Sequence, residues 1–239
     1  MDITNSPAVL LYSGGPDSTT LLYDLLSQGR KVYVLTYNFG EQEAENEKSH
    51  GESILSLMKG DVEPHHFDFS ESLRRFYGLP KPQFLRKAVV VGKSPIDSNY
   101  VQPFGSTVAL MLTASWALKH DVREIFYAVH QNDSMFYDNR REYFSLLSQV
   151  TAECEGEDYR ISFCTPYLGM SKSDVIQKGA SLGVPFGMTW SCARGGDVHC
   201  GLCDPCKDRQ MSFSVAGIED PVEYEETEVA IPALSGSAR

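Results

Sequence analysis

The 239-residue chain has no apolar run approaching the roughly 20 residues that a helix needs to cross a bilayer. Its start, MDITNSPAVLLYS, lacks the basic segment and small-residue cleavage site of a secretory leader, so a cytoplasmic setting is expected. Positive charge is scarce: 21 Lys and Arg against 32 Asp and Glu leave a net charge of −11. Nonspecific affinity for nucleic acid comes mainly from cations meeting phosphates, so this balance argues against a nucleic-acid partner while leaving room for a local basic patch. There is no internal repeat and no low-complexity linker. The Walker phosphate-binding pattern, with its lysine, is also missing. With 42% hydrophobic and 22% charged residues, the composition suits an ordinary globular core of one large domain, or one domain with a small appendage.

What is present begins at residues 11–20, LYSGGPDSTT. Pro7 to Tyr12 read as a short buried strand, and Leu21, Leu22, Leu25 and Leu26 recur at helical spacing, so the intervening loop joins a strand to a helix. Gly14 and Gly15 permit positive φ, which lets successive N–H groups converge on one anion while the helix points its positive dipole end at the same place. Ser13, Ser18 and Thr19 add hydroxyls. The pattern predicts a phosphate or pyrophosphate cradle; the plain alternative is a strand-to-helix turn capped by Asp17 or Ser18.

Further along, 32–39 reads as a second strand, 41–59 as a helix with Ile54, Leu55 and Leu57-Met58 toward the core, and 65–69 as a third strand. Residues 70–102 hold three prolines and no sustained period, an irregular excursion. Regular elements resume with a helix at 106–120, a strand at 124–130, a helix at 140–153, a strand at 160–167 and a helix at 172–182. Alternation of strand and helix predicts an α/β, doubly wound, mainly parallel sheet, with ligands beyond the carboxyl ends of its strands. The expected organisation is a nucleotide-binding domain over 1–187, a metal-binding segment and helix over 188–221, and an acidic tail over 222–239.

Four of six cysteines crowd into Cys192-ARGGDVH-Cys200-GL-Cys203-DP-Cys206. Two C-x-x-C steps and one earlier cysteine let four thiolates converge tetrahedrally, the preference of structural zinc, with an iron–sulfur cluster and a redox dithiol as rivals. A site filled by four protein ligands leaves no position for a reacting water, so the metal is expected to hold structure. His199 stands beside a ligand position, where it either replaces a cysteine or supports one. Cys154 and Cys164 lie outside the cluster and are expected to fill core or helix-face space.

SGGPDS at 13–18 resembles the pyrophosphate loop of the PP-loop ATP pyrophosphatase (adenine nucleotide α-hydrolase) superfamily. TPYLGMSKSDVIQKGASLGVP at 165–185, TWSCARGGDVHCGLCDPCKDR at 189–209 and GIEDP at 217–221 are similar to segments of the 7-cyano-7-deazaguanine synthase (QueC) family. That resemblance implies ATP as co-substrate, Mg2+, structural Zn2+ and a deazapurine substrate. The implied reaction adenylates the carboxylate of 7-carboxy-7-deazaguanine, lets ammonia displace AMP, and activates the amide again to yield the nitrile. Ser13, Gly14, Gly15, Asp17, Ser18 and Thr19 would then hold the nucleotide, with Asp17 and Lys172 as catalytic candidates. Asp138 and Arg140, in QNDSMFYDNRREYF, match positions that would grip the deazapurine; otherwise they open the next helix, with Asp138 as its cap. Lys172 has the plain reading of a surface lysine at a helix start. A homodimer is implied by the resemblance as well.

The chain departs from the family pattern on loops expected to face ligands. VQPFGS at 101–106 lacks the family's arginine and asparagine, YNFGEQEAE at 37–45 carries acids where the family carries basic groups, and Asn139 replaces a frequent cysteine. These departures raise a second expectation: the reaction stops at an amide, and the amine belongs to a peptide or protein. A catalytically silent nucleotide-binding module is a third.

Overall fold

A computed structural model describes residues 6–78 and 104–225. The excursion expected over 70–102 is therefore described only at its start and the tail expected over 222–239 only through residue 225; the remainder of both lies outside the described residues.

Among the described residues five strands, β1 (Ala8–Leu11), β2 (Val32–Asn38), β3 (Val62–Asp68), β4 (Glu124–Phe126) and β5 (Ser162–Cys164), form one sheet in the order β3-β2-β1-β4-β5. Every neighbouring pair is parallel, with Ala8 opposite Val32, Val9 opposite Ile125, and Val32 opposite Val62. The helices are α1 (Pro16–Ser27), α2 (Ala44–Leu55), α3 (Ser70–Phe76), α4 (Gly105–Lys119), α5 (Arg141–Glu155), α6 (Lys172–Ser181) and α7 (Asp204–Ala216). The doubly wound parallel expectation holds.

Parallel sheets require cover on both faces, and β1 shows why. Ala8 and Leu10 pack with Leu21, Leu22 and Leu25 of α1 and Val175 of α6. Val9 points the opposite way, against Leu110, Ala114 and Ala117 of α4 and Phe144 and Leu147 of α5. Each fully buried leucine contributes about 1.5–3 kcal/mol by leaving water. Gly179 lets α1 and α6 approach: a Cβ there would sit 2.5 Å from both Phe186 Cζ and Thr20 Oγ1. A smaller core of Ile176, Val184, Phe186, Phe213 and Ala216 seats α7 on α6.

Several boundaries differ from expectation. The second helix stops at Leu55, and Leu57, expected in the core, is 53% exposed. β4 and β5 are shorter than 124–130 and 160–167, because after β4 the chain leaves the sheet and tightens into a 3-10 turn at Gln131–Met135. Neither Asp17 nor Ser18 caps α1. Gly15 is the N-cap residue, without a side-chain bond, and Pro16 opens the helix, where its missing N–H costs nothing. Nor does Asp138 cap α5, whose N-cap is Arg140; Asp138 sits in a separate 3-10 turn, Tyr137–Asn139.

The order 3-2-1-4-5 reverses direction between β1 and β4. Loops leaving their carboxyl ends diverge there and open a crevice. The glycine loop leaves β1 into that crevice and the 131–135 turn leaves β4 into it.

Candidate functional site

The loop after β1 is shaped by its glycines and serines. Gly14 has φ +71°, and a Cβ there would lie 2.6 Å from the Glu47 carbonyl oxygen of α2. Ser18 Oγ accepts from the Ser13 N–H at 3.3 Å and lies 3.2 Å from Ser13 Oγ, closing the loop on the first turn of α1. Thr19, counted among the nucleotide-binding candidates, is fully buried, and its hydroxyl lies 3.2 Å from the Tyr12 hydroxyl.

Four further residues meet this loop. Lys172 is buried, not a surface lysine as its position at a helix start allowed. Its Nζ lies 3.5 Å from Asp17 Oδ2 and donates to Asp208 Oδ2 at 2.6 Å. Burial pulls its pKa down, but Asp17, Asp208 and Asp133 outweigh that and hold it above the ordinary lysine value, so the ammonium is charged at neutral pH. His130, also buried, places Nε2 3.9 Å from Asp17 Oδ2 and Nδ1 3.3 Å from Asp133 Oδ2, the latter without hydrogen-bond alignment. Burial raises the Asp133 carboxyl above its ordinary range, against the pull of His130 and Lys172. Asp17 Oδ1 is buried with no hydrogen-bond partner among the described residues. A hard, partnerless carboxylate oxygen beside this glycine loop suits a divalent cation.

The 130–133 turn is pinned to the start of α6, with the Gln131 N–H donating to Met170 O and the Lys172 N–H to Asn132 Oδ1. Thus Asp17 and Lys172 come together as the sequence suggested, while His130, Asp133 and Asp208 went unrecognised. A histidine ending an expected strand at the carboxyl edge was the available signal for His130; nothing local marks Asp208. Asp138 and Arg140 take their contacts elsewhere. The Arg140 guanidinium lies over the Tyr137 ring at 4.4 Å and donates through Nε to Ser134 O, and the pKa of the Tyr143 hydroxyl is raised by burial and, to a lesser degree, by the charge of Asp138.

The four clustered cysteines converge. Their Sγ atoms all lie within 4.8 Å of one another, and Cys192, Cys200 and Cys206 are buried. Backbone N–H groups of Arg194 and Cys200 approach Cys192 Sγ at 3.4 and 3.5 Å, and that of Cys203 approaches Cys200 Sγ at 3.4 Å. Such donors stabilise thiolates, the form that binds metal. His199 does not join the set: Nε2 accepts from the Ser191 N–H, and the ring lies 4.3 Å from that of Trp190. Cys154 is exposed and Cys164 half-buried.

This segment is also bound to the loop. The Trp190 N–H donates to Gly14 O at 3.1 Å. Just before α2, Gln42 Nε2 donates to Arg194 O, and from α2 Asn46 Nδ2 donates to Gly196 O at 2.7 Å and His50 Nδ1 lies 2.8 Å from Met188 O. Arg209 is wholly buried beneath it, paired with Asp220 at 3.0 Å and donating to Thr189 and Phe186.

The sequence model of the queuosine biosynthesis protein QueC matches residues 7–217. A 7-cyano-7-deazaguanine synthase of Caldicellulosiruptor saccharolyticus is 34% identical, over 91% of this chain and 95% of its own. One from Methanoregula boonei is 33% identical over 91% and 99%. Among solved structures, the U34-tRNA thiolase NcsA of Methanococcus maripaludis, 13% identical, superposes with a TM-score of 0.50 over 98% of this chain and 79% of its own, a likeness of fold alone. With its family segments in order along nearly the whole chain and its relatives synthases, the protein belongs to the QueC family of queuosine biosynthesis proteins.

Proposed function

We propose that the protein is an ATP-dependent ligase that adenylates the carboxylate of 7-carboxy-7-deazaguanine and passes the acyl group to ammonia. The observation that carries this reading is the meeting of the glycine loop with Asp17 and a buried, charged Lys172 at the carboxyl ends of β1 and β4. A carboxylate resists amine attack until one oxygen becomes a good leaving group. Its oxygen attacks the α-phosphorus and pyrophosphate departs; the amine then attacks the acyl carbon and AMP departs with that oxygen. The amide oxygen repeats the attack on a second ATP, and loss of AMP and the remaining nitrogen protons gives the nitrile, 7-cyano-7-deazaguanine.

In this reading the loop at Ser13, Gly14, Gly15 and Ser18 holds the β and γ phosphates, and Lys172 offsets the charge that gathers on the departing pyrophosphate. Asp17, through its partnerless Oδ1, would hold Mg2+, which neutralises phosphate charge when bound. Cys192, Cys200, Cys203 and Cys206 would hold Zn2+, which fixes the fold of the segment behind the loop. Arg140 would grip the substrate carboxylate and Asp138 the guanine-like edge.

A second reading, that the product is an amide to an amine on a peptide or protein, draws on the acidic stretch after β2. Glu41 is turned inward, where Oε2 accepts from the Phe39 N–H, but Glu45 is exposed and available to attract a cationic amine. Mass spectrometry of products formed from ATP, magnesium and the acid, with and without ammonium, tests both. Nitrile with AMP supports the first reading, and amide or an amine adduct without nitrile supports the second. AMP-free mixtures with unchanged acid overturn both.

A further inference from the structure

Lys172 does not reach the nucleotide loop alone. Its ammonium is shared between two carboxylates from different parts of the fold: Asp17, on the first turn of α1, and Asp208, on α7 two residues beyond Cys206. The stronger contact is the remote one, 2.6 Å to Asp208 against 3.5 Å to Asp17. The lysine side chain is 10% exposed and that of Asp208 40%, so one carboxylate oxygen faces the buried ammonium while the group keeps access to water. A lysine with four rotatable side-chain bonds loses much entropy when fixed, and a single long contact to Asp17 is weak restraint. Asp208 supplies the second point. Its own anchorage is firm: Cys203 is the N-cap of α7, the helix's buried face carries Cys206 and Arg209, and Arg209 ties it to Asp220, Thr189 and Phe186.

We propose that Asp208 is a positioning residue for the nucleotide reaction: it holds Lys172 at the mouth of the pyrophosphate loop, acting from the cysteine-bearing segment. This rests on the reading of Lys172 as a phosphate contact. Asp208 itself is an anion beside a polyanion's site, so its bare charge opposes ATP, and two effects of opposite sign are separable. Removing it in the wild type loses the positioning; removing it where Lys172 is gone leaves only relief of repulsion.

The test is a double-mutant cycle read by calorimetric titration with a nonhydrolysable ATP analogue, which needs no turnover and so stands apart from the identity of the acid substrate. D208N is expected to weaken analogue binding at least about fivefold in the wild-type background, yet to leave it unchanged or tighter, within about twofold, in a K172M background. D208E, which keeps the carboxylate, is expected to recover most of the affinity. Metal content per chain, measured on each variant, is expected to match the wild type. Equal weakening by D208N in both backgrounds would assign Asp208 a merely structural role, and tightening in both would make it only a repelling charge; either result overturns the proposal. Should D208N lose its metal, D208S carries the same comparison. If K172M binds the analogue as wild type does, the reading of Lys172 as a phosphate contact fails instead.

Discussion

Replacing Gly14 with alanine probes the loop at its tightest point. Two costs add. At φ +71° an L-residue meets left-handed strain of about 1–2 kcal/mol. The new Cβ would also stand 2.6 Å from Glu47 O, 3.1 Å from Gly51 N and 3.2 Å from Gly51 Cα. All three are backbone atoms of α2, which no rotamer change can move aside, so the clash resembles overpacking, costing about 1–3 kcal/mol. The sum, about 2–5 kcal/mol, is relieved by pushing the loop away from α2, and that displaces the N–H groups proposed to hold phosphate. Every 1.4 kcal/mol or so surrendered in that displacement is tenfold in affinity. G14A is therefore expected to lose about 2–5 kcal/mol in urea unfolding and at least about tenfold in affinity for an ATP analogue. Gly15 supplies the control: its φ is −79°, and a Cβ there would lie 3.3 Å from Ser13 Oγ and Trp190 O, so G15A should cost less on both measures. A G14A protein as stable as wild type with unchanged analogue binding would refute the claim that contact with α2 shapes this loop.

Arg209→Met removes the cation that pairs with Asp220 and leaves a buried carboxylate uncompensated, so urea unfolding should show a loss of about 3–5 kcal/mol; a loss under about 1 kcal/mol would contradict the pairing. Stripping metal with a chelator should loosen the cluster around Trp190, which is 2% exposed, and shift its fluorescence to the red; unchanged emission would mean that the segment keeps its fold without metal. Lys172 has a folded pKa above its ordinary value, so its stabilisation is fully present below the unfolded lysine value of about 10.4 and is lost only as pH rises through the folded one. The stability gap between wild type and K172M should thus stay constant from about pH 6 to 9, and a gap that closes within that range would sink the assignment.

Local order was legible and distant meetings were not. The strand, glycine loop and helix from Pro7 to Leu26 announce themselves because each signal lies within a few residues of the next. The cysteines do the same, their spacing alone bringing four sulfurs together. Lys172 looked like a surface lysine as readily as a catalytic one, since nothing near it in sequence says that α6 packs on α1 through Gly179 and buries its start. His130, Asp133 and Asp208 join Asp17 and Lys172 only because the sheet order places β4 beside β1 and the cysteine segment folds back over the loop. Strand ends were overdrawn for a related reason: apolar residues continue past Phe126 and Cys164, but Val129 and Tyr167 reach the core from outside the strands. The departure over 37–45 reads as a change to a ligand rim, yet Gln42 within it, like Asn46 just beyond it, binds a carbonyl of the cysteine segment.

The central claim is that a carboxylate oxygen attacks the α-phosphorus of ATP at this loop. It is tested most directly with 7-carboxy-7-deazaguanine labelled with heavy oxygen in its carboxylate, incubated with the metal-loaded protein, ATP, magnesium and ammonium, and followed by mass spectrometry of the AMP. Adenylation predicts that the released AMP carries one heavy oxygen, in proportion to the acid consumed. Unlabelled AMP alongside a converted acid, or ADP and phosphate in place of AMP, would contradict it.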